Sequence, residues 1–386
     1  MFSDHYQAAW TRLTEFAQAA TAPLQSLREK RAADFAPYLW NKEVGAGGDL
    51  DRAILRRAAT TKRELFADRL FHVVPIYVSS ICSEQCVYCN YRAGNKGVGV
   101  ERKRLTDDEL AREATFLIEE KSFRTLELVY ASDPLMQPDT IARHIALLRK
   151  LLEQHGGGIV GLSCESFDEH DYRMFVDAGL AFSVLWMETY DSERYRQLHP
   201  GRTRKSEFEY RLDAYDRMSA AGLDCVGIGV LSGLSDWRRD WAMLMQHEDY
   251  LFRTYGRATS ILGIPRLKHA PGALMRESEF IPTTEQFVTA MALHNLFSPG
   301  TAAFVSTRED WDTCIQLAQG GGCLFTLNCS TIPGGYSLQS HGAQFANFSF
   351  DAPVSVPKLK MLGFESVQRW SINDLAPTGA ALIAAE

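Results

Sequence analysis

No stretch of the 386-residue sequence is apolar for the length that a bilayer crossing requires. The opening residues, Met1-Phe-Ser-Asp-His-Tyr6, carry no basic segment followed by an apolar run, so no secretory leader is expected. Positive charge is not in excess either. With 41 Lys and Arg against 48 Asp and Glu the net charge is −7, which argues against nucleic acid or an anionic membrane as the main partner. The short basic run Arg102–Arg104 reads as a solvated surface. These absences predict a cytoplasmic protein, and in that reducing compartment the eight cysteines are not expected to form a disulfide framework.

What is present is an ordinary globular composition, 46% hydrophobic and 23% charged, on a chain long enough for one large α/β barrel with a terminal extension or for two domains. Residues 1–70 read as a helical extension in at least two pieces, with Ala9, Leu13, Phe16 and Ala17 at helical spacing and a break at Gly45–Gly48. From residue 73 short apolar runs alternate with amphipathic segments. Strands are expected at 73–79, 125–130, 159–163, 181–187, 224–230, 259–264, 302–306 and 323–327. Helices are expected at 107–120, 137–154, 166–178, 205–221, 235–254, 284–297 and 309–319, with Thr106 and Thr283 as caps. Eight strands alternating with helices predict a (βα)8 TIM-like barrel over 71–340, whose chemistry collects at the C-terminal strand ends. Residues 341–386 form a C-terminal extension, and 376–386 are expected to be a poorly ordered end.

Three cysteines are crowded directly after the first expected strand, in Cys82-Ser-Glu-Gln-Cys86-Val-Tyr-Cys89. Three thiolates on one loop can bind three irons of a cubane cluster and leave the fourth without a local protein ligand. A structural zinc site is the competing assignment. It needs four ligands, usually as C-x2-C pairs, and the spacing here is three then two, with no second pair and no nearby His.

This C-x3-C-x2-C, with Tyr88 before the third Cys, resembles the radical S-adenosylmethionine (SAM) superfamily. Further segments resemble its aromatic amino-acid lyase branch, which holds 2-iminoacetate synthase, the hydrogenase-maturing tyrosine lyase and the tryptophan lyase. They are VPIYVSSIC (74–82), ETY (188–190), RLDAYDRMSAAGLD (211–224), GIGVLSGLSD (227–236), IPRLK (264–268), STRE (306–309) and IPGGY (332–336). The resemblance implies a 4Fe–4S cluster on Cys82, Cys86 and Cys89, with SAM chelating the free iron. It implies a deoxyadenosyl radical that takes hydrogen from a free amino acid whose side chain is then cleaved, and an external one-electron donor of flavodoxin or ferredoxin type. A mutase, ring-forming or group-transferring radical enzyme, or a tryptophan lyase, is the alternative.

The same resemblance assigns roles. Arg308 would grip the substrate carboxylate with its guanidinium fork, or else pair with Glu309. Tyr77 would lie by the substrate amine or simply pack, and Ser306, with Ser330 and Thr331, would supply small hydroxyls. Tyr88 would lie near the adenine, and Glu188 and Arg211 would face the SAM ribose and carboxylate or form an ordinary ion pair. Gly334 and Gly335 would make a tight turn or approach the site, and Trp186 and Phe325 would line the pocket or fill the barrel.

The chain also departs from the branch. The Gly-Glu pair expected at the end of the second strand is replaced by Val129-Tyr-Ala-Ser-Asp133, which leaves Asp133 or Ser132 to meet the SAM amino group. Met187 stands where a polar residue is usual. The C-terminal cysteine motif of the hydrogenase maturase is missing, so Cys314, Cys323 and Cys329 read as buried small residues.

Overall fold

The computed structural model describes residues 1–24, 27, 31–256 and 261–375. Its strands are β1 (Arg69–His72), β2 (Val74–Ser79), β3 (Thr125–Tyr130), β4 (Ile159–Ser163), β5 (Phe182–Trp186), β6 (Cys225–Gly229), β7 (Ile261–Gly263), β8 (Ala302–Val305), β9 (Gly322–Phe325) and β10 (Glu365–Val367). All ladders are parallel, in the order β10-β1-β9-β8-β7-β6-β5-β4-β3-β2. Only Val73 separates β1 from β2. Because β1 pairs with β9 while β2 pairs with β3, the run Arg69–Ser79 joins the first strand of the βα series to the last. The outcome is the expected α/β barrel of eight βα units, and all eight expected strands are found, that at 259–264 reaching beyond the described residues. β1 and β10 are additions: both are short, and neither shows the apolar alternation that marks a strand.

Strands β2 to β9 are largely buried on both faces, which is why they read as unbroken apolar runs. Their first residues build the lower plug of the barrel, among them Ile159, Phe182, Cys225, Ile261 and Ala302, closed from below by Trp370 and Leu375. Above the plug the glycines of β6 and β7 make room. A Cβ on Gly229 would fall 1.7 Å from the Gly263 carbonyl oxygen, and one on Gly263 would fall 2.1 Å from the Trp186 ring. The indole of Trp186 thus lies in the space that two missing side chains leave.

The helices start where the caps predict. Thr106 Oγ1 accepts from the Glu109 N–H at 3.2 Å while the Glu109 carboxylate accepts from the Thr106 N–H at 2.9 Å. Thr283 and Gln286 repeat the arrangement. The expected helix at 205–221 is three pieces instead: Arg204–Ser206, Phe208–Leu212 and Ala214–Ala220. It breaks at Asp213, whose carboxylate accepts from the N–H and hydroxyl of Ser3 at 2.9 and 2.6 Å. Satisfying the N-terminal turn thus competes with helix continuity here.

The N-terminal arm packs on the barrel. Helix Tyr6–Gln18 buries Tyr6, Ala9, Leu13 and Phe16, whereas Ala17 is exposed, one position off the stripe. The break at Gly45–Gly48 is a turn in which the N–H groups of Gly45 and Gly47 donate to Asp51 at 2.8 and 2.7 Å. It feeds helix Asp49–Phe66, which lies on helix Thr284–Phe297. No described helix is long and apolar enough to cross a membrane.

Two substitutions separate backbone fit from capping. Gly229→Ala should cost about 3 kcal/mol, because a carbonyl of the adjoining strand has to move. Thr106→Ala should cost only about 1 kcal/mol, the usual loss of a cap. Urea midpoints of the two variants measured side by side will show whether this order holds.

Candidate active site

The C-terminal strand ends open into a cavity of about 300 Å³. Cys82, Cys86 and Cys89 all line it, on a loop that leaves β2 and folds back on itself. Arg102 closes this loop. Its guanidinium donates to the carbonyls of Ser80 (2.7 Å), Asn90 (3.0 Å), Arg92 (2.9 Å) and Asn95 (3.3 Å). The neighbouring Arg104 is bound bidentately by Asp133, and Lys103 pairs with Glu109 at 3.1 Å. The run Arg102–Arg104 is therefore structural rather than a free solvated face. Its charges go to backbone carbonyls and two carboxylates, and charge composition alone does not reveal this.

All eight cysteines are free thiols. Backbone N–H groups approach two of the three loop sulfurs, from Glu84 to Cys82 at 3.4 Å and from Tyr91 to Cys89 at 3.3 Å, and Gln344 Nε2 reaches Cys89 at 3.6 Å. Such donors suit thiolates. Burial pushes Cys82 up to about 11 and Cys86 up to about 12, so metal binding must displace their protons. Among the described residues no three His, Cys, Asp or Glu side chains converge on a point fit for a single ion. A polynuclear cluster takes one thiolate per iron and does not need that convergence. Three thiols spread around one cavity wall therefore fit an iron–sulfur cluster and do not fit a closed zinc site.

Beside the thiols lies a buried ion group. Glu188, held at φ 73°, accepts from Lys205 at 2.8 Å and Arg211 at 3.4 Å, and Arg211 also donates twice to the Trp186 carbonyl at 3.0 and 2.6 Å. Burial alone would raise the Glu188 carboxyl, but Lys205 and Arg211 outweigh it and pull it down to about 2. Arg211 Nη1 is buried without a hydrogen-bond partner. Tyr88 is buried on the cavity wall, and its hydroxyl donates to His199 Nε2 at 2.8 Å. Burial keeps His199 neutral, at about 3, so that it can accept.

On the far side, Arg308 follows β8. Its Cζ lies 3.7 Å from the centroid of the Phe345 ring, and among the described residues its guanidinium makes no side-chain hydrogen bond or ion pair. The pairing with Glu309 is not formed. Glu309 points away and is held by Arg266 and, at 3.1 Å, by Lys268. Ser306 lines the cavity and accepts from the Arg308 N–H at 3.3 Å. Tyr77 lines it too, and its hydroxyl donates to Gln344 Oε1 at 3.1 Å.

The structure thus brings Tyr77, Cys82, Cys86, Tyr88, Cys89, Glu188, Arg211, Ser306 and Arg308 to one cavity. Asp133 stands apart. It is off the cavity, and its oxygens are filled by Arg104, the Ser79 hydroxyl and the Leu135 N–H, while Ser132 is the neighbour that lines the cavity. Phe325 is core, edge-on to Trp311, whereas Trp186 is on the wall. Ser330 and Thr331 are also off the wall, and Met187 is fully buried in the main core. Gly334 and Gly335 make a turn: a Cβ on Gly335 would fall 1.8 Å from Ser330 Oγ, and the following Tyr336, Ser337 and Leu338 bind Glu113. Sequence reasoning missed Gln344 and Phe345, which come from beyond the expected barrel, and Lys205, Glu127 and Arg102. None of these belongs to a recognisable motif.

A family model described as the radical SAM superfamily matches residues 76–245. The 2-iminoacetate synthase of Escherichia coli (strain K12) is 30% identical over 297 residues, which cover 76% of this chain and 74% of that one. The chain belongs to the radical SAM superfamily, in its aromatic amino-acid lyase branch. Among solved structures it is similar to HydG, a maturase of the [FeFe]-hydrogenase, at a TM-score of 0.80 and 25% identity, over 94% of this chain and 76% of that one. Methylornithine synthase shares the fold, at a TM-score of 0.69 and 18% identity, over 98% and 100% of the two chains. Members of the superfamily carry a 4Fe–4S cluster, use SAM and need a reductant.

The Glu188 group gives a pH prediction. A carboxyl at about 2 in the folded chain and at the ordinary 4.5 in the unfolded chain stabilises the fold above 4.5, and this contribution is lost as pH falls towards 2. Glu188→Gln should flatten that acid limb. At pH 7 it should cost about 3–5 kcal/mol, since it leaves Lys205 and Arg211 buried without their anion. Urea midpoints at pH 7 and pH 4 test both statements. Separately, Cys82→Ala, Cys86→Ala or Cys89→Ala should each abolish cluster binding, read as iron per chain and thiolate-to-iron absorption after anaerobic reconstitution.

Proposed function

We propose that the protein is a tyrosine lyase: it binds a free aromatic amino acid by its α-amino and α-carboxylate groups and cleaves its side chain. The observation that carries this reading is Arg308. It is a cation with no ion-pair partner among the described residues, stacked on Phe345 and opening into the cavity that Cys82, Cys86 and Cys89 share. A guanidinium placed in this way can hold a carboxylate through two parallel N–H donors. The name of the 2-iminoacetate synthase relative and its 30% identity support the same chemistry here.

When bound, the cluster on Cys82, Cys86 and Cys89 and its SAM supply the electron and the deoxyadenosyl radical that takes the hydrogen atom. The chain's own residues position the reactants. Arg308 and Ser306 hold the carboxylate, and Tyr77, fixed by Gln344, faces the amine. Burial keeps the Tyr77 phenol neutral, so it does not compete as a base. Tyr88 meets the adenine, Glu188 the ribose, and the free Nη1 of Arg211 the SAM carboxylate. Fixing one N–H against the radical and excluding water are the protein's share of the work. The electron donor is of flavodoxin or ferredoxin type, and the eight free thiols suit a cytoplasmic setting.

Arg308→Ala tests the reading. With wild type, SAM and dithionite, L-tyrosine should stimulate 5′-deoxyadenosine release and yield p-cresol. In the variant, deoxyadenosine should no longer rise with added tyrosine, the loss of a charged pair in a dry site being worth about 100-fold or more. Tyrosine stimulation retained in Arg308→Ala would remove this residue from the site. Stimulation of the wild type without a cleaved side chain would point to a mutase or ring-forming enzyme.

A further inference from the structure

The floor of the cavity carries a carboxyl that the functions above do not use. Glu127 lies mid-strand in β3, is 8% exposed, and lines the cavity. Among the described residues it has no hydrogen-bond or ion-pair partner. The sheet explains why: its registered neighbours are Pro75 on β2 and Gly161 on β4, and neither offers a polar side chain. The space beside Gly161 is filled by the Phe182 ring, at 2.0 Å from where a Cβ would stand. Burial without compensation pushes Glu127 up to about 8, so near neutral pH it is mostly a carboxylic acid that can both donate and accept. An unpaired buried acid costs stability, and groups of this kind persist where a ligand completes them.

We propose that Glu127 reads the far end of the substrate side chain, selecting an aromatic amino acid whose ring carries a hydrogen-bond donor. This rests on the reading of Arg308 as the carboxylate anchor and deepens it. Tyr77 is in register with Val129, and Glu127 stands two residues deeper on the same strand, roughly 7 Å at strand spacing. A side chain hung from Arg308 and Tyr77 points down this shaft, and its length matches a para-substituted ring. The wall between is apolar: Trp186 and Phe304 meet edge to face at 6.2 Å, and both line the cavity. That wall fits a flat ring, and the acid at its end fits the donor on the ring. A site built to pair a substrate hydroxyl rejects the analogue without it, because its own polar group is then left buried and unmatched.

The test uses the reconstituted enzyme with SAM, binding L-tyrosine, L-phenylalanine and L-lysine by calorimetry to wild type, Glu127→Gln and Glu127→Leu. Wild type should prefer tyrosine to phenylalanine by at least about tenfold. Glu127→Leu should erase that preference by weakening tyrosine alone, and Glu127→Gln should keep part of it. Neither variant should lower the thermal midpoint, since no native partner is lost; a fall in both would reveal a structural partner and overturn the proposal. An unchanged tyrosine-to-phenylalanine ratio in Glu127→Leu would overturn it too, as would lysine binding that depends on Glu127 and exceeds that of tyrosine. If tyrosine stimulates wild-type deoxyadenosine release yet the ratio does not move, only the role of Glu127 falls. If no aromatic amino acid binds or stimulates wild type, the lyase reading falls and this proposal with it.

Discussion

Arg102 holds the cysteine loop in place with a fan of hydrogen bonds to four backbone carbonyls. Without it, residues 80–95 would leave several carbonyls without partners in a loop that has no strand or helix ladder of its own. A flexible loop would also have to be ordered each time a cluster formed, at an entropic cost for every residue fixed. A single guanidinium, presenting its donors in a rigid fork, meets that need better than a lysine would. The bonds from Lys103 N to Ser80 Oγ and from Leu105 N to the Val78 carbonyl then continue the loop's return along β2, at 2.9 Å each. The site therefore starts from a backbone problem, solved before any ligand arrives.

The second constraint is the cost of charge inside a barrel. The cavity is walled by low-dielectric core, and every ionised group on it has to be compensated or neutralised. Glu188 is compensated, by two cations close enough to hold it ionised. His199 is neutralised, and its neutrality lets it fix the Tyr88 hydroxyl. Arg308 cannot lose its proton, so the ring of Phe345 covers it and leaves the in-plane N–H donors available. Glu127, among the described residues, has neither a counter-ion nor a hydrogen-bond donor, and burial pushes its carboxyl up to about 8. The wall is thus polarised. Glu188 and Tyr88 on the cofactor side are already partnered, while Arg211 Nη1, Arg308 and Glu127 retain unmet demand.

Much of this was legible in the sequence. The strands announce themselves because burial on both faces demands unbroken apolar runs, and the cysteine loop because crowded thiols in a reducing chain have few other uses. β1 and β10 were not legible: Arg69–His72 and Glu365–Val367 are only four and three residues long and carry polar side chains. Position on the cavity wall was legible only where a motif carried it, as for Arg308 and Tyr88. Asp133 shows the limit. An acid at a strand end is an attractive ligand on paper, yet Arg104, twenty-nine residues earlier, claims it, and only tertiary structure reveals that pairing. Gln344 and Phe345 show the converse, since they reach the site from a segment without regular structure.

The same reasoning explains why adjacent residues of the STRE segment part company. Glu309 is almost wholly buried and is gripped by Arg266 and Lys268 of the IPRLK segment, with Arg266 further tied to the Pro282 carbonyl and the Thr284 hydroxyl at 3.2 Å each. Two cations on one carboxylate saturate it. Arg308, one residue away in sequence, does not pair with it and stays available to the cavity. Two sequence segments some forty residues apart thus form a single device in which one ion group is satisfied so that another is not. The network itself reaches the cavity through Lys268, which lines it while pairing with Glu309, so the same ion group that satisfies Glu309 also borders the space into which Arg308 opens.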